Sequence, residues 1–327
     1  MAPAGKGRLG LGKVPIRILN ETVVRFVGAP SDRVVAPAKA GVDFAAIRAG
    51  DGYVVVSADP VTGVSKDIGR YAVLVSANDV ATSGSGPQFA ESVILLPEGS
   101  ASEDVRRIAR QIHEAARSSG IAIVGGHTEV TPGLRHPIVV ITAFSLVSGF
   151  VTSAHARAGD TIMMTKTAGI EGTAVISGSR RMLGKLSVVD EAVAAYRTGR
   201  VHAMHDCTEG GVLGAAFEMS LASGLGFELD EAKVPVSPKT EGVCKRLGLD
   251  PLRLIGSGAL LLAVEKGREA EVEDALLNIC RVSRVGTFRK RGRALLRKDG
   301  KMEILVEAPE DELWRALARV SGRGGNT

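Results

Sequence analysis

Cysteines, aromatic residues and long apolar runs are all scarce in this 327-residue sequence. The three cysteines, Cys207, Cys244 and Cys280, lie far apart and form no CxxC pair, which disfavours a disulfide framework and a clustered zinc site. No apolar segment approaches the roughly 20 residues that cross a bilayer, and no apolar signal region follows the basic N-terminal stretch. We therefore expect a cytoplasmic protein with reduced thiols and no membrane partner.

Aromatic residues make up only 4% of the chain, although the formal net charge is +5. A basic protein can bind nucleic acid, but this one has few rings that could stack on bases. The densest basic run, residues 289–298, alternates with small and apolar residues as a solvated hairpin does. We expect no nucleic-acid partner.

The length and an ordinary composition, 45% hydrophobic and 24% charged, indicate two folded domains. Strand and helix patterns mix in both halves without regular alternation, which predicts an α+β fold rather than a doubly wound sheet. A long strand pattern at 137–149 closes the first half, and the small-residue segment SAHARAGD follows it. We place the boundary near residue 152, which gives domains 1–152 and 153–327.

Local patterns place the main elements of the first half. GYVVVSADP (52–60) and FAESVILLP (89–97) read as strands, and a helix is expected from Asp67 to about Ser83. The segment 102–120 reads as an amphipathic helix with Ser102 as its N-cap, and IAIVGG (121–126) reads as a strand followed by a loop, HTEVTPGLRH.

Acids at the predicted strand ends point to a metal-nucleotide site. The side chains concerned are Asp43, Asp59 and Asp79, with Asn78 alongside. Carboxylate oxygens are the ligands that Mg²⁺ prefers, and glycine pairs such as 125–126 and 210–211 let a backbone approach phosphate oxygens closely. Each feature alone is more often a turn, and the sequence has no Walker A or GxGxxG motif, so the interpretation depends on the joint pattern.

The stretch HAMHDCTEGGV (202–212) allows three interpretations. On a helix, His202 and His205 would share a face and could bind zinc, but a structural zinc needs four ligands and the other histidines are scattered. Cys207 near a helix N-terminus would have a lowered pKa and could act as a nucleophile, although a small buried side chain is the commoner role. Asp206 remains as the functional candidate.

Seven short motifs occur in a fixed order across nearly the whole chain. They are GVDFAAI, SADPVTG, KDIGRYAV, SANDVATSGSGP, IVGGHTEVTPG, ARAGDTIMMTKTAGIEGT and HDCTEGGVLGA. This order resembles the AIR synthase (PurM-like) superfamily, and within it the HypE-like hydrogenase maturation and AIR synthase-related branch. The resemblance implies a two-domain PurM-like fold, with an N-terminal sheet domain that forms a homodimer interface and a C-terminal α/β sandwich domain.

The resemblance also implies ATP and Mg²⁺ as cofactors, and activation or phosphorylation of an oxygen of a small-molecule acid or amide. Motif matching assigns nucleotide-binding positions to both halves: Lys13, Asp43, Asp59, Asp67, Asn78, Asp79, Gly125, Gly126, Thr128, Gly210 and Gly211. The metal ligands among them would be Asp43, Asp59 and Asp79. The acceptor would be oriented by Glu129 or Asp206, which are the predicted catalytic residues.

The chain departs from its relatives at several positions. It has no cysteine after Cys280, whereas the maturation branch ends in a cysteine tail that carries the thiocarboxamide. Cys207 and Glu209 stand where that branch usually has Pro and Arg, and His127 stands where thiamine-monophosphate kinases usually have an acid. We therefore expect a HypE-like enzyme without the thiocyanate chemistry. The alternatives are a non-catalytic nucleotide-binding partner of another maturation factor, or a thiamine-monophosphate kinase-like phosphotransferase.

Overall fold

Two β-sheets, each covered by helices, make up the protein. The structure, a computed structural model, describes residues 9–62, 66–179, 182 and 184–323. The six-stranded sheet lies in the first half of the chain and the seven-stranded sheet in the second. The predicted α+β class is therefore confirmed. Among the described residues, every helix is too short or too polar to cross a lipid bilayer.

The first sheet has the order β1-β2-β3-β6-β4-β5, and only β4 and β5 run parallel. Its strands are β1 (Val34–Ala36), β2 (Ala45–Ala49), β3 (Gly52–Val61), β4 (Phe89–Pro97), β5 (Ala122–Thr131) and β6 (Ile138–Val147). The α-helices described in this half are α1 (Ile16–Glu21), α2 (Ile68–Ala81) and α3 (Ser102–Ser118). Helix α2 packs between the sheet and α3, and twelve of its fourteen residues are buried.

Helix α3 is amphipathic, as its sequence predicts. Ile108, Ile112 and Ala116 recur at helical spacing and enter the core of the first sheet, whereas the opposite face carries charge. The helix begins at Ser102 itself, so the prediction of Ser102 as N-cap is off by one residue. Ala101 is the N-cap, and its N–H donates to Asp104 Oδ2 at 3.1 Å.

The second sheet has the order β13-β12-β9-β11-β7-β10-β8. Its strands are β7 (Thr161–Thr165), β8 (Val201–Asp206), β9 (Gly226–Asp230), β10 (Leu260–Val264), β11 (Val282–Arg289), β12 (Arg293–Leu296) and β13 (Met302–Ile304). The helices described in this half are α4 (Ile170–Ser177), α5 (Val189–Arg197), α6 (Gly211–Ser223), α7 (Pro238–Leu247), α8 (Glu269–Leu276) and α9 (Glu312–Arg323).

Helices cover both faces of the second sheet. On β10, Leu261 and Ala263 enter the core that includes α6, whereas Leu260, Leu262 and Val264 enter the core that includes α5 and α8. Because successive strand residues point to opposite faces, a fully apolar strand of this kind belongs between two covering layers. This arrangement is the predicted α/β sandwich. The predicted boundary at residue 152 lies between β6 and β7 and stays a prediction.

The two halves are joined by a buried amide. Asn78 on α2 is fully buried, its Nδ2 donates to the Leu186 carbonyl at 2.7 Å, and its Oδ1 accepts from the Val188 N–H at 2.9 Å. Both hydrogen-bonding groups of the side chain therefore bind the backbone segment that leads into α5. Helix α2 of the first half is held in a fixed position against the second half.

Two local predictions are wrong. The segment HTEVT is not a loop, because β5 continues to Thr131 and pairs with β4 along its whole length. The basic run 289–298 does not form one hairpin, because β9 lies between β11 and β12 and pairs with both strands, and only its second part, from Arg293, belongs to an antiparallel hairpin, β12 with β13. In each case the sheet partner comes from a distant part of the chain, which local patterns do not reveal.

Candidate active site

Four aspartates from different elements meet where the two halves face each other. Asp43 precedes β2, Asp59 is on β3, Asp79 is on α2 and Asp206 ends β8. Asp79 interacts electrostatically with the three other aspartates, Asp59, Asp206 and Asp43. The structure therefore brings the three predicted metal ligands together, and it adds Asp206 from the second half.

The alternation of β3 explains how the first-half acids converge. Val55, Ser57 and Asp59 share one face of the strand, and α2 packs on that face. Asp79 lies in the last turn of α2, and its Oδ2 accepts a hydrogen bond of 2.8 Å from Ser57 Oγ. Ser57 Oγ also lies 2.9 Å from the Asp43 carbonyl oxygen, so this hydroxyl connects the two acidic segments.

Burial sets the electrostatics of this cluster. Burial raises the pKa of Asp79 well above its usual range, and the nearby Asp59 and Asp206 add to the effect. Burial likewise raises the pKa of Asp43 to about 7, although the neighbouring His205 opposes that shift. Buried oxygens without hydrogen-bond partners remain on three side chains: Asp43, Asp59 and Asp206. A site with this excess of acceptors favours bound cations or protons.

His205 belongs to the cluster, although the sequence favoured Asp206 over it as the functional residue of this stretch. The side chain is 2% exposed, and its Nδ1 lies 3.1 Å from Asp43 Oδ1 and 3.8 Å from Asp206 Oδ1. On the other side of the ring, Nε2 lies 3.0 Å from Glu218 Oε2. Burial by itself would lower the pKa of His205, but the carboxylates, Asp43 foremost, raise that pKa well above its usual value.

The proposed pairing of His202 with His205 is wrong, because residues 201–206 form strand β8 and not a helix. Residues three apart on a strand point to opposite faces. His202 accordingly turns away from the cleft, and its Nδ1 lies 3.0 Å from both carboxylate oxygens of Asp160. Strand alternation across VHAMHD was the signal that would have placed the two histidines on opposite faces.

An N-terminal segment closes one side of the cleft. Lys13 Nζ donates to Glu218 Oε1 at 3.1 Å, and the Lys13 N–H lies 3.1 Å from both carboxylate oxygens of Glu209. Trp314 Nε1 donates to the same Glu209 carboxylate at 3.2 Å. Burial disfavours charge on Glu218, but Lys13 and His205 outweigh it and lower the pKa of Glu218 to about 2. Lys13 therefore contacts a carboxylate next to the acidic cluster.

The Gly210 and Gly211 pair starts α6 for a steric reason. Both residues have left-handed backbones, with φ of 81° and 62°. A Cβ atom on Gly211 would lie 2.6 Å from the Leu252 carbonyl oxygen and 2.7 Å from that of Leu254. The Gly210 N–H donates to Asp311 Oδ2 at 2.6 Å. The pair lets α6 approach the 252–254 segment, while phosphate binding by these glycines stays a prediction.

The predicted residues of the GGHTE motif do not join the acids within one chain. They lie on β5, an edge strand exposed along nearly its whole length, and they are Gly125, Gly126, Thr128 and Glu129. Two strands separate β5 from β3, so the distance across the sheet is about 14 Å. Glu129 contacts its strand neighbours His127 and Thr131. Gly126 has φ of 146°, and a Cβ there would overlap the Ser92 carbonyl oxygen.

Two further predicted residues flank the cluster along α2. Asn78 precedes Asp79, and both polar atoms of its amide bind backbone groups of the second half. Asp67 directly precedes the helix, and its carbonyl accepts from the Tyr71 N–H at 3.0 Å. Asn78 therefore links the two halves beside the acids. Nucleotide binding by Asn78 or Asp67 stays a prediction.

A second buried acid group lies near the first and was not predicted from the sequence. Burial raises the pKa of Glu171 to about 7, even though Ser257 donates a hydrogen bond to it. Burial also raises the pKa of Asp311 to about 6. Glu171 Oε2 has no hydrogen-bond partner and lies within electrostatic range of Asp206. The sequence signal was an acid next to the glycines of AGIEGT, at the start of a helix.

Cys207 has the environment of an inert thiol. It is fully buried, and burial raises the pKa of its thiol well above the usual value, with Asp206 adding to the shift. We expect iodoacetamide to leave Cys207 unmodified in the native protein and to modify it after unfolding, because the thiolate is the reactive form. Peptide mapping by mass spectrometry checks this. Rapid native alkylation of Cys207, relative to the partly exposed Cys280, would contradict it.

Two family models match consecutive parts of the chain. The model described as AIR synthase related protein, N-terminal domain, matches residues 41–147. The model described as AIR synthase related protein, C-terminal domain, matches residues 157–298. The two matched ranges contain the first and second sheets respectively, except for the outer strands β1 and β13.

Relatives and solved structures agree with these models. A carbamoyl dehydratase HypE from Escherichia coli (strain K12) is 33% identical over an alignment of 240 residues, and the match covers 69% of this chain and 70% of that protein. A crystal structure of a HypE–HypF complex gives a TM-score of 0.75 at 21% identity, covering 89% of this chain and 99% of that chain. A HypE solved in complex with ATP gives a TM-score of 0.70 at 22% identity, and the match covers 92% of this chain and 93% of that chain. The similarity to these two solved structures shows that this chain shares their fold.

Proposed function

This chain belongs to the AIR synthase-related (PurM-like) superfamily and is HypE-like within it, and from that premise we propose that it is an ATP- and Mg²⁺-dependent enzyme. ATP would activate or phosphorylate an oxygen of a small acid or amide acceptor. The observation that carries the proposal is the buried cluster of four aspartates between the two halves, with unpartnered carboxylate oxygens. A carbamoyl group, named in the relatives, is the first acceptor to test.

The donor set fits a magnesium ion. Asp59, Asp79 and Asp43 offer carboxylate oxygens, which are the ligands that Mg²⁺ selects, and the buried Oδ2 atoms of Asp59 and Asp43 have no protein partner. These three side chains would hold the ion. Bound Mg²⁺ would neutralise phosphate charge and polarise the transferred phosphoryl group. ATP is the nucleotide we propose, because a HypE of the same fold was solved with it.

The other residues of the cleft position the partners. Asp206 projects from the second half into the acids of the first, which suits it to orient an acceptor held between them. Lys13 would place a positive charge at the edge of the cleft, where phosphate oxygens would be attracted to it. The close packing around Asp206, which is 1% exposed, would keep bulk water away from the reacting oxygen.

We also propose that the protein acts as a homodimer. The edge strand β5 exposes Ile123, Val124 and Val130, and Leu146 on β6 is 56% exposed. Such an unpaired apolar edge is unfavourable in an isolated chain and is normally covered. A dimer formed through this face would bury the apolar residues together with Glu129, whose predicted catalytic role would then concern the assembled dimer. Another maturation factor is a further partner, by analogy with the HypE–HypF complex.

The metal assignment is tested by nucleotide-induced stabilisation. ATP with Mg²⁺ at about 100 times its dissociation constant is expected to stabilise the wild type by about 2.7 kcal/mol, which for a chain of this length is a rise of roughly 4 °C in melting temperature. Asp59→Asn and Asp79→Asn are each expected to lose most of this rise, because a neutral amide is a poorer Mg²⁺ ligand. Differential scanning fluorimetry with and without Mg²⁺ measures it.

Asp51→Asn is the matched control, because Asp51 is an exposed acid in the turn between β2 and β3. The Asp51→Asn variant should keep the full rise in melting temperature with ATP and Mg²⁺. An unchanged rise in Asp59→Asn and Asp79→Asn would show that these acids do not hold the metal. Nucleotide analysis then decides the reaction type: ADP formed with carbamoyl phosphate, small acids or amides supports phosphoryl transfer. No turnover with any acceptor, despite normal nucleotide binding, favours the non-catalytic alternative.

A further inference from the structure

His205 introduces a nitrogen ligand into a site that is otherwise built of oxygens. Atoms of Asp43, His205 and Asp206 lie within 4.8 Å of one another, close enough to bind one ion. All three side chains are more than nine-tenths buried. We propose that these three residues bind a transition-series divalent cation, of the class of Zn²⁺, Mn²⁺ or Co²⁺, through His205 Nδ1. This goes beyond the proposed function, which needs only Mg²⁺.

The spacing of the atoms supports a shared ion. Ligand atoms that bind a metal at about 2.1 Å in a tetrahedral arrangement lie about 3.4 Å apart. His205 Nδ1 lies 3.1 Å from Asp43 Oδ1 and 3.8 Å from Asp206 Oδ1, values on either side of that separation. The donors are therefore already gathered on one side of the imidazole ring, and binding requires only small side-chain rotations.

Unpartnered atoms provide the second, independent observation. The Oδ2 atoms of Asp43 and Asp206 are buried without a hydrogen-bond partner. Buried polar atoms are nearly always partnered in folded proteins, so two such atoms beside His205 Nδ1 indicate a ligand that completes them. The two carboxylates facing Nδ1 stabilise positive charge there, which a proton supplies in the metal-free protein and a divalent cation would supply otherwise.

Glu218 supplies the outer contact that metal-binding histidines usually have. Its Oε2 lies 3.0 Å from His205 Nε2, on the ring edge away from Asp43 and Asp206. A carboxylate in this position holds the imidazole so that the other nitrogen faces the metal. Lys13 Nζ forms an ion pair with Glu218 Oε1 at 3.1 Å, so the Glu218 carboxylate is held between Lys13 and His205. Glu218 is thus a positioning residue and not a ligand.

The imidazole of His205 gives this position a different metal preference from the magnesium position. Imidazole suits Zn²⁺ and other transition metals, whereas Mg²⁺ takes oxygen ligands and keeps water. Asp59 and Asp79 form the oxygen-only part of the cleft. Asp43 interacts electrostatically with both Asp79 and His205, so it stands between the two positions and could bridge them. The same cleft would then hold two different cations.

The test titrates Co²⁺ into chelator-treated, full-length protein in a large excess of Mg²⁺, followed by visible absorption. We expect one Co²⁺ per chain that Zn²⁺ displaces. His205→Gln should weaken binding at least tenfold, and His202→Gln should leave it unchanged, because His202 is on the same strand but faces Asp160. Equal Co²⁺ binding by wild type and His205→Gln, or an equal loss in His202→Gln, would overturn the proposal.

A second variant keeps the test decisive if His205→Gln does not fold. Glu218→Gln retains all three ligands and should weaken Co²⁺ binding about tenfold while leaving the stoichiometry at one, as loss of an outer contact does. Unchanged affinity in a folded Glu218→Gln would count against the assigned geometry. The stabilisation by ATP with Mg²⁺ is measured on the same samples. If it persists in His205→Gln while Co²⁺ binding is lost, the two cation positions are distinct.

Discussion

Replacing Gly211 with alanine is expected to lower the free energy of unfolding by about 2–5 kcal/mol. About 1–2 kcal/mol comes from holding a side chain in the left-handed conformation, at φ of 62°. A further 1–3 kcal/mol or so comes from overpacking, because the new Cβ would lie 2.6 Å from the Leu252 carbonyl oxygen. Backbone atoms cannot rotate away as a flexible side chain can. Urea unfolding followed by circular dichroism measures the loss.

Gly178 offers a matched control for this substitution. It has the same φ, 62°, at the end of α4, and a Cβ there would meet no atom within 4 Å. Gly178→Ala should therefore cost only the conformational part, about 1–2 kcal/mol. Equal losses in the two variants would show that the approach of α6 to the 252–254 segment is not what requires Gly211.

The free energy of unfolding of the metal-free protein should fall as the pH rises from about 5 to above 7. Asp43 and Glu171 have folded-state pKa values of about 7, against ordinary values of 3.8 and 4.5, and the pKa of Asp79 is also raised. In that pH range the folded state binds more protons than the unfolded state. Stability is then lost with rising pH, at about 1.4 kcal/mol per pH unit for each net proton released.

Urea unfolding at a series of pH values, in the presence of a chelator, measures this slope. Asp79→Asn should reduce the slope of the free energy of unfolding against pH, because one buried negative charge is removed from the cluster. The same variant should be more stable than the wild type at pH 8 without metal. Asp51→Asn, an exposed acid, should leave the slope unchanged. A free energy of unfolding that rises between pH 5 and 7.5 would contradict the raised pKa values. Acidic groups with lowered pKa values, such as Glu218, act only at lower pH.

Much of the fold could be predicted because its signals are local. The amphipathic pattern of α3 and the β-branched run of β3 each specify an element without reference to distant residues. Asp59 was found for the same reason, since it closes a strand pattern, whereas Asp79 was expected at a strand end and lies instead in the last turn of helix α2. Length and composition indicated two domains, and the family resemblance then supplied their PurM-like architecture, which no local pattern contains.

The missed parts depend on long-range contacts. His205 became a site residue only because β8 places it opposite Asp43, more than 150 residues earlier in the chain. Glu218 and Lys13 meet across 205 residues. The GGHTE residues were assigned to the cleft by motif matching, and sheet order places them at the far edge. Strand order and sheet pairing cannot be read from local sequence patterns, so these placements required the structure.

The amide of Asn78 limits how the cleft can exchange its contents. Swinging the two halves apart would break both hydrogen bonds of a fully buried side chain that directly precedes Asp79. Exchanging these hydrogen bonds for hydrogen bonds to water would cost on the order of 0.5–1.5 kcal/mol each, which opposes hinge opening at this point. Nucleotide and product would instead pass under the segment around Lys13, whose contacts are exposed. We therefore expect the segment around Lys13, and not a hinge between the two halves, to move when the cleft opens.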